Sequence, residues 1–177
     1  MKKLLAAILI AAGLWAGYWY AGQRAVERAL ADWFDARRQA GWVAEYDTLN
    51  TRGFPNRFDT TITGPSLADP DSGLAWSAPF LQILALSYRP NHVILALPNE
   101  QVVATPLERL TLASDKMTGS LILRPGASLE LDRSTFIAQS VVVAGQSGWS
   151  ASMDEGRAAI RRLEEEGFSY EIGLETL

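Results

Sequence analysis

The chain has no cysteine, a single histidine (His92) and no excess of basic residues. Without a thiol there is no disulfide framework and no cysteine nucleophile. One imidazole and no thiolate do not supply the usual ligand set of a zinc or iron–sulfur centre. Lys and Arg number 16 against 20 Asp and Glu, a formal net charge of −4. That balance leaves no basic stripe for a phosphate backbone and argues against nucleic acid as a partner. The short catalytic signatures are missing too: no G-x-S-x-G elbow, no phosphate-binding loop and no dinucleotide glycine fingerprint. Gly145-Gln146-Ser147-Gly148 has the wrong spacing for the elbow. A Ser–His–acid triad would have to use His92, which reads as a turn or strand-start residue in Arg89-Pro90-Asn91-His92. Asp69 and Asp71 flank Pro70 as a turn pair, and Glu164-Glu165-Glu166 reads as a solvated helix end. No catalytic residue, metal ligand or cofactor is assigned, and the chain is not read as an enzyme; an envelope hydrolase built on His92 or on Asp69 and Asp71 is the remote alternative.

Apolar residues make up 48% of the 177 positions, too many for a disordered chain and in a length that suits one domain. They are unevenly distributed. After Met1-Lys2-Lys3, residues 4–22 carry no charge. Leu4, Leu5, Ile8, Leu9, Ile10 and Leu14 fill this run, and Trp15, Tyr18, Trp19 and Tyr20 cluster at its far end. At about 1.5 Å per residue the run covers about 29 Å as a helix, one bilayer core. Rings with an apolar body and a polar tip favour the headgroup level, so the cluster reads as an interfacial belt. A cleaved secretory signal is the rival reading. It needs small residues at −3 and −1, and cleavage after Ala21 or Ala16 would put Trp19 or Leu14 at −3. An uncleaved anchor fits better.

The three-residue tail favours a cytoplasmic N-terminus and an exported remainder, although Arg24, Arg28, Arg37 and Arg38 oppose this on a bare count of positive charges. Without residues 1–23 the chain holds 14 Lys and Arg against 20 Asp and Glu, a formal charge of −6. An anionic membrane surface repels such a domain, so it is not a polybasic lipid binder.

Three regions follow: an anchor over 1–22, an amphipathic stalk helix over 23–41, and an antiparallel β domain over 42–177. Val26, Leu30, Trp33 and Phe34 form one stripe, which is expected to pack on the following domain. No proline separates the two helical regions, so they read as one helix stopping near Gly41. From Trp42 onward, turn residues recur every eight to twelve positions between β-rich runs. Strands are expected over 44–51, 57–63, 80–88, 92–97, 101–105, 108–113, 119–123, 128–132, 135–144 and 149–153. The short connections favour an antiparallel meander, as a curved sheet or a sandwich. A helix is expected over 154–166, with Asp154 as its N-cap, Ala159, Ile160 and Leu163 as its stripe and Gly167 as its stop. Alternation then resumes from Phe168, and the lack of a terminating turn suggests a longer natural chain. The fold class is mainly β with flanking helices.

Two runs are apolar on both faces: Phe80, Ile83, Leu84 and Leu86 in the first, Ile94, Leu95 and Leu97 in the second. A sheet with one wet face should alternate cleanly. These runs are therefore strands inside a sandwich, a lipid-lined surface or a self-association edge. The sharpest local motif is Gly53-Phe54-Pro55-Asn56-Arg57-Phe58, a turn with aromatic flanks. An anchor, an aromatic amphipathic helix and this motif, followed by Trp76-Ser77-Ala78-Pro79, Tyr88-Arg89-Pro90-Asn91-His92 and Gln101, resemble a bacterial envelope family numbered 2125 among the domains of unknown function. The resemblance covers roughly residues 1–145. The architecture is also similar to that of AsmA-like proteins. This resemblance implies an inner-membrane anchor, a periplasmic domain and a sheet curved around lipid. The expected role is binding or passing lipid or another apolar ligand; the alternative is an envelope scaffold that recruits a protein.

Overall fold

The structure, a computed structural model, describes residues 1–124, 130–163 and 170–176. Helix α1 (Lys2–Gln39) is continuous, about 57 Å long at 1.5 Å per residue. It stops where the sequence places the stop. Gly41 takes φ 87°, its N–H donates to Arg38 O, and Trp42 N–H donates to Arg37 O. A left-handed residue there reverses the chain at no steric cost to glycine.

Among the described residues thirteen antiparallel strands follow and form one sheet. They are β1 (Val43–Glu45), β2 (Thr48–Arg52), β3 (Arg57–Thr63), β4 (Ser66–Asp69), β5 (Leu74–Ser77), β6 (Phe80–Leu86), β7 (Arg89–Leu97), β8 (Glu100–Ala104), β9 (Arg109–Ala113), β10 (Lys116–Leu123), β11 (Leu131–Gly145), β12 (Ser150–Arg162) and β13 (Tyr170–Thr176). The neighbour order is β1-β4-β5-β8-β9-β11-β10-β7-β6-β3-β2, with β12 on the far edge of β11 and β13 beyond it. The path doubles back at β11, whose one edge takes β10 along its first half and β9 along its last residues.

This order has a simple origin. β1 and β2 are two parts of one bent strand, as are β3 and β4, β5 and β6, β7 and β8, and β9 and β10. A crease crosses the sheet at Tyr46-Asp47, Gly64-Pro65, Ala78-Pro79, Pro98-Asn99, Ser114-Asp115 and Ser140. Backbone bonds stitch it: Asp47 N–H to Thr63 O, Gly64 N–H to Pro79 O, Ala78 N–H to Pro65 O, Ser114 N–H to Asn99 O and Asp115 N–H to Gln139 O. Proline lacks an N–H and glycine tolerates φ > 0, which explains their use at a bend. Several residues that read as turns therefore mark bends within continuing strands. The sandwich alternative is not what forms: one sheet curls into a half-barrel.

The alternation changes phase at the crease. On β3 the inward residues are Phe58, Thr60 and Ile62, and on β4 the inward residue is Leu67. On β11, Ala138 and Val141 both point inward, which requires an added residue between them; Ser140 supplies it with φ 51°. The bends thus keep one apolar face on the inside. Two clusters fill the crease. Phe34, Ala44 and Ile62, with Tyr46, Leu49, Leu67, Leu81 and Ile83, sit at the helix end. Met117, Ala138 and Val141, with Leu97, Leu112, Val143 and Met153, sit at the β11 end.

The second half of α1 lies along β2 and β1. Gln23 donates to Thr51 O at 2.9 Å, and Thr51 N–H donates to Glu27 Oε1 at 2.9 Å. Helix side chains thereby satisfy edge-strand groups that would otherwise invite another strand. Phe34 completes the packing, as the stripe of Val26, Leu30, Trp33 and Phe34 suggests, although Trp33 itself remains exposed. At Gly22 a side-chain carbon would fall 2.5 Å from Phe58 Cζ, so any larger residue would have to displace the Phe58 ring.

The helix expected over 154–166 does not form: its described residues up to Arg162 belong to β12. The same residues also carry a period of two. Gly156, Ala158 and Ile160 pair with Ala138, Phe136 and Ser134 on the inward set, while Glu155, Arg157 and Arg161 point outward. The long edge of β11 offers these residues a continuous partner, and tertiary pairing overrides their local helix preference. Glu164, Glu165, Glu166, Gly167 and Phe168, and the start of the strand expected over 128–132, lie outside the described residues.

Candidate functional site

The candidate site is the inward face of the sheet. Following the register from β6 toward β13, the inward residues on the half beyond the crease are Ile83 and Ala85, then Val93 and Leu95, then Gly119 and Leu121, then Phe136, then Ala158 and Ile160, then Ile172 and Leu174. All of these are apolar; Ser134, which pairs with Leu121 and Ile160, and Thr176, opposite Gly156, are polar members of the same inward set. The outward set on the same strands includes Asp59, Gln82, His92, Thr118, Ser120, Arg133, Arg157, Arg161 and Glu171. The inward face is closed at the crease and open away from it: Phe136 is 36% exposed, Ile172 66% and Leu174 79%. It is an apolar gutter in which exposure rises with distance from the helix.

Few polar groups enter it. Trp76 donates its indole N–H to Gln101 Oε1 at 2.9 Å, and Gln101 Nε2 meets Met117 Sδ at 3.2 Å. This link ties β5 to β8 and β8 to β10 behind the gutter, and buried Gln101 is satisfied within it.

The residues expected to form an apolar surface divide between the two faces. Ile83, Leu95 and Leu97 point inward, while Phe80, Leu84, Leu86 and Ile94 point outward. Leu84 pairs directly with Ile94 on the outside. The motif residues form a real hairpin turn. Gly53 takes φ 108° and accepts from Arg57 N–H at 2.9 Å, Phe54 and Pro55 are exposed at the tip, and Phe58 is buried against Trp19. Pro79 lies on the crease, not in a turn between neighbours.

On α1, Leu4, Leu5, Ile8, Leu9, Ile10 and Leu14 are exposed. The aromatic group beyond them touches the domain. Trp15 Nε1 donates to Pro55 O at 3.0 Å, Tyr18 OH to Ser87 O at 2.6 Å, and Trp19 Nε1 to Arg57 O at 2.8 Å. Tyr20 faces away, with Arg24 over its ring. The 18-residue apolar window of this helix has a mean hydropathy of 1.7, enough in length and composition to cross a membrane.

His92 and the Asp69–Asp71 pair lie at separate places on the sheet. His92 meets Ser120 Oγ at 3.0 Å on the outward face. Asp69 lies at the opposite tip, where it accepts from Ser72 and from Asp71 N–H. The Ser72 hydroxyl holds the Asp69 carboxyl below its usual range. Among the described residues no group of three or more metal-ligating side chains comes together.

A family model for an uncharacterized protein conserved in bacteria (DUF2125) matches residues 19–177. The chain belongs to this family. No curated protein and no solved structure matches it. The DUF2125 match takes in α1 from Trp19 onward, the Gly53-Phe54-Pro55 turn, Trp76, Pro79 and the described strands of the sheet, and leaves out Trp15 and Tyr18. Gln23 and Glu27, which seal the β2 edge, and Ser87, which receives Tyr18, were not legible as site residues. The only available signal was the i, i+4 spacing of Gln23 and Glu27 beside an apolar stripe.

Proposed function

We propose that this DUF2125 member is a non-enzymatic protein of the bacterial inner membrane whose sheet lies in the periplasm and holds lipid acyl chains along its inward face. The observation that carries the reading is the predominantly apolar inward set from Ile83 to Leu174, interrupted by Ser134, open to solvent and attached to an apolar helix. Exposed apolar area of this extent on one face marks a binding surface. The resemblance to AsmA-like architecture drawn from the sequence adds lipid as the proposed occupant. Photo-crosslinking tests it. A photoreactive phenylalanine analogue at Phe136 should yield adducts with the mass of phospholipid in intact cells, and one at Ile94 on the outward face should not. Absence of lipid adducts at Phe136 and at Leu121 would refute the reading.

One observation favours a second reading, an envelope scaffold. Among the described residues β13 pairs with β12 alone. Its described residues contain no proline or lysine, the usual guards of an open edge. A crosslinker at Ile172 that returns one protein in stoichiometric yield and no lipid would select this role.

A further inference from the structure

The anchor and the sheet are bonded together at a level that the arithmetic of the bilayer does not leave in water. Resting on the reading of α1 as a membrane span, we propose that the β2–β3 and β6–β7 turns are seated in the distal leaflet of the bilayer, with Phe54, Leu86 and Tyr88 as the inserted side chains. The part of the apolar run that is free of the domain, residues 4–14, is about 17 Å long, well short of a hydrocarbon core of about 30 Å. The full run to Gly22 reaches about 29 Å. Trp15, Tyr18 and Trp19 lie within that run; Trp15 and Tyr18 are bonded to the two turns and Trp19 to Arg57 at the start of β3. If the run spans the membrane, the turns bonded to it descend with it. Trp15 then lies about 10 Å below Gly22, the depth that interfacial elements reach.

The turns are built for that depth. Phe54 is 57% exposed and Tyr88 59%, and Leu86 is exposed beside them. Their backbone groups are largely satisfied within the protein, as a bilayer demands. Pro55 O accepts from Trp15 and from Ser87 Oγ, Asn56 O from Ser87 N–H, Ser87 O from Tyr18, and Arg57 O from Trp19. Pro55 and Pro90 bring no N–H at all. Arg52 and Arg89 flank the two turns, exposed, where a long side chain can reach the phosphate layer. The sheet therefore sits on the membrane rather than above it on a stalk.

The absence of cysteine makes the test direct. Single variants Leu9→Cys, Asn56→Cys and Leu107→Cys of the full chain, each labelled with an environment-sensitive fluorophore, are reconstituted in phosphatidylethanolamine–phosphatidylglycerol vesicles containing spin-labelled lipid. Leu107 is the aqueous reference at the opposite end of the sheet, 94% exposed. The expected result is a blue-shifted emission at positions 9 and 56, with quenching at 56 strongest from headgroup-proximal spin labels and several-fold above that at 107. A probe at 56 that behaves like the probe at 107, while the probe at 9 is buried in lipid, overturns the seating and leaves the span intact. A probe at 9 that is also aqueous overturns the span, and the seating with it.

Discussion

Replacing Glu27 with alanine tests whether the helix truly seals the β2 edge. Glu27 Oε1 accepts the Thr51 N–H at 2.9 Å and sits 3.3 Å from Gln23 Nε2. Thr51 is 1% exposed, so its amide has no water to turn to when the carboxylate leaves. A hydrogen bond to a charged group contributes about 1.5–3 kcal/mol, and an orphaned buried donor costs about 1–3 kcal/mol. Alanine is a better helix former than glutamate by only a few tenths of a kcal/mol, so this offset does not decide the sign. Glu27→Ala is expected to lower stability by about 2 kcal/mol. Glu27→Gln keeps an acceptor oxygen and should lose about 1 kcal/mol. Adding Gln23→Ala to Glu27→Ala should cost less than the sum of the single losses, because both side chains act on Thr51 and on each other. Denaturant titration of the full chain in detergent, followed by tryptophan fluorescence, gives the energies. Hydrogen exchange gives the local readout: the Thr51 amide should exchange much faster in Glu27→Ala, while the amides of β3 paired with β6 stay protected. A loss below about 0.5 kcal/mol, the range of ordinary surface changes, with Thr51 still protected, would refute the edge-sealing account.

Two further predictions concern the crease and the far tip. Ser140 holds φ 51° within β11, a conformation that suits glycine; Ser140→Gly should raise stability by about 0.5–1 kcal/mol and Ser140→Val should lower it by more than about 1 kcal/mol, read as shifts of the denaturation midpoint. Glu108 accepts the Trp149 indole N–H at 2.5 Å and both the hydroxyl and the amide of Ser147, bonds that hold its carboxyl below the usual range. A depressed folded value means that the contribution is present above the ordinary carboxylate range near about 4.3 and is lost as pH falls through the depressed value. Thermal midpoints of the parent and of Glu108→Gln should therefore differ at neutral pH and converge in strong acid.

The elements that the sequence reveals best are those whose local pattern and tertiary role agree. β3 is expected over 57–63 and occurs there, because Phe58, Thr60 and Ile62 alternate without interruption. The single helix through both halves of the N-terminal region follows from the lack of proline. The short strands β4 and β5 escape notice because Ser66-Leu67-Ala68-Asp69 and Leu74-Ala75-Trp76-Ser77 hold no β-branched residue. They are strands because each continues its neighbour across the crease. β12 is misread for the opposite reason: Ala158, Ala159, Arg161 and Arg162 favour a helix, and only the waiting edge of β11 makes them extended. The gutter itself is half legible. Phe80–Leu86 and residues 93–97 announce apolar surfaces on both sides, but which side is the inside depends on the phase change at the crease, which no local window contains.

The continuity of α1 has a mechanical consequence. A membrane helix usually adapts to bilayer thickness by tilting, and a flexible linker hides that tilt from the rest of the protein. Here no linker exists. The helix is bonded to the sheet at Pro55, Arg57, Thr51 and Ser87 and packs into its crease through Phe34. On the proposed reading of α1 as a membrane span, any tilt of the helix swings the whole sheet as a lever, so the angle between the gutter and the membrane plane would follow the thickness of the bilayer that holds it.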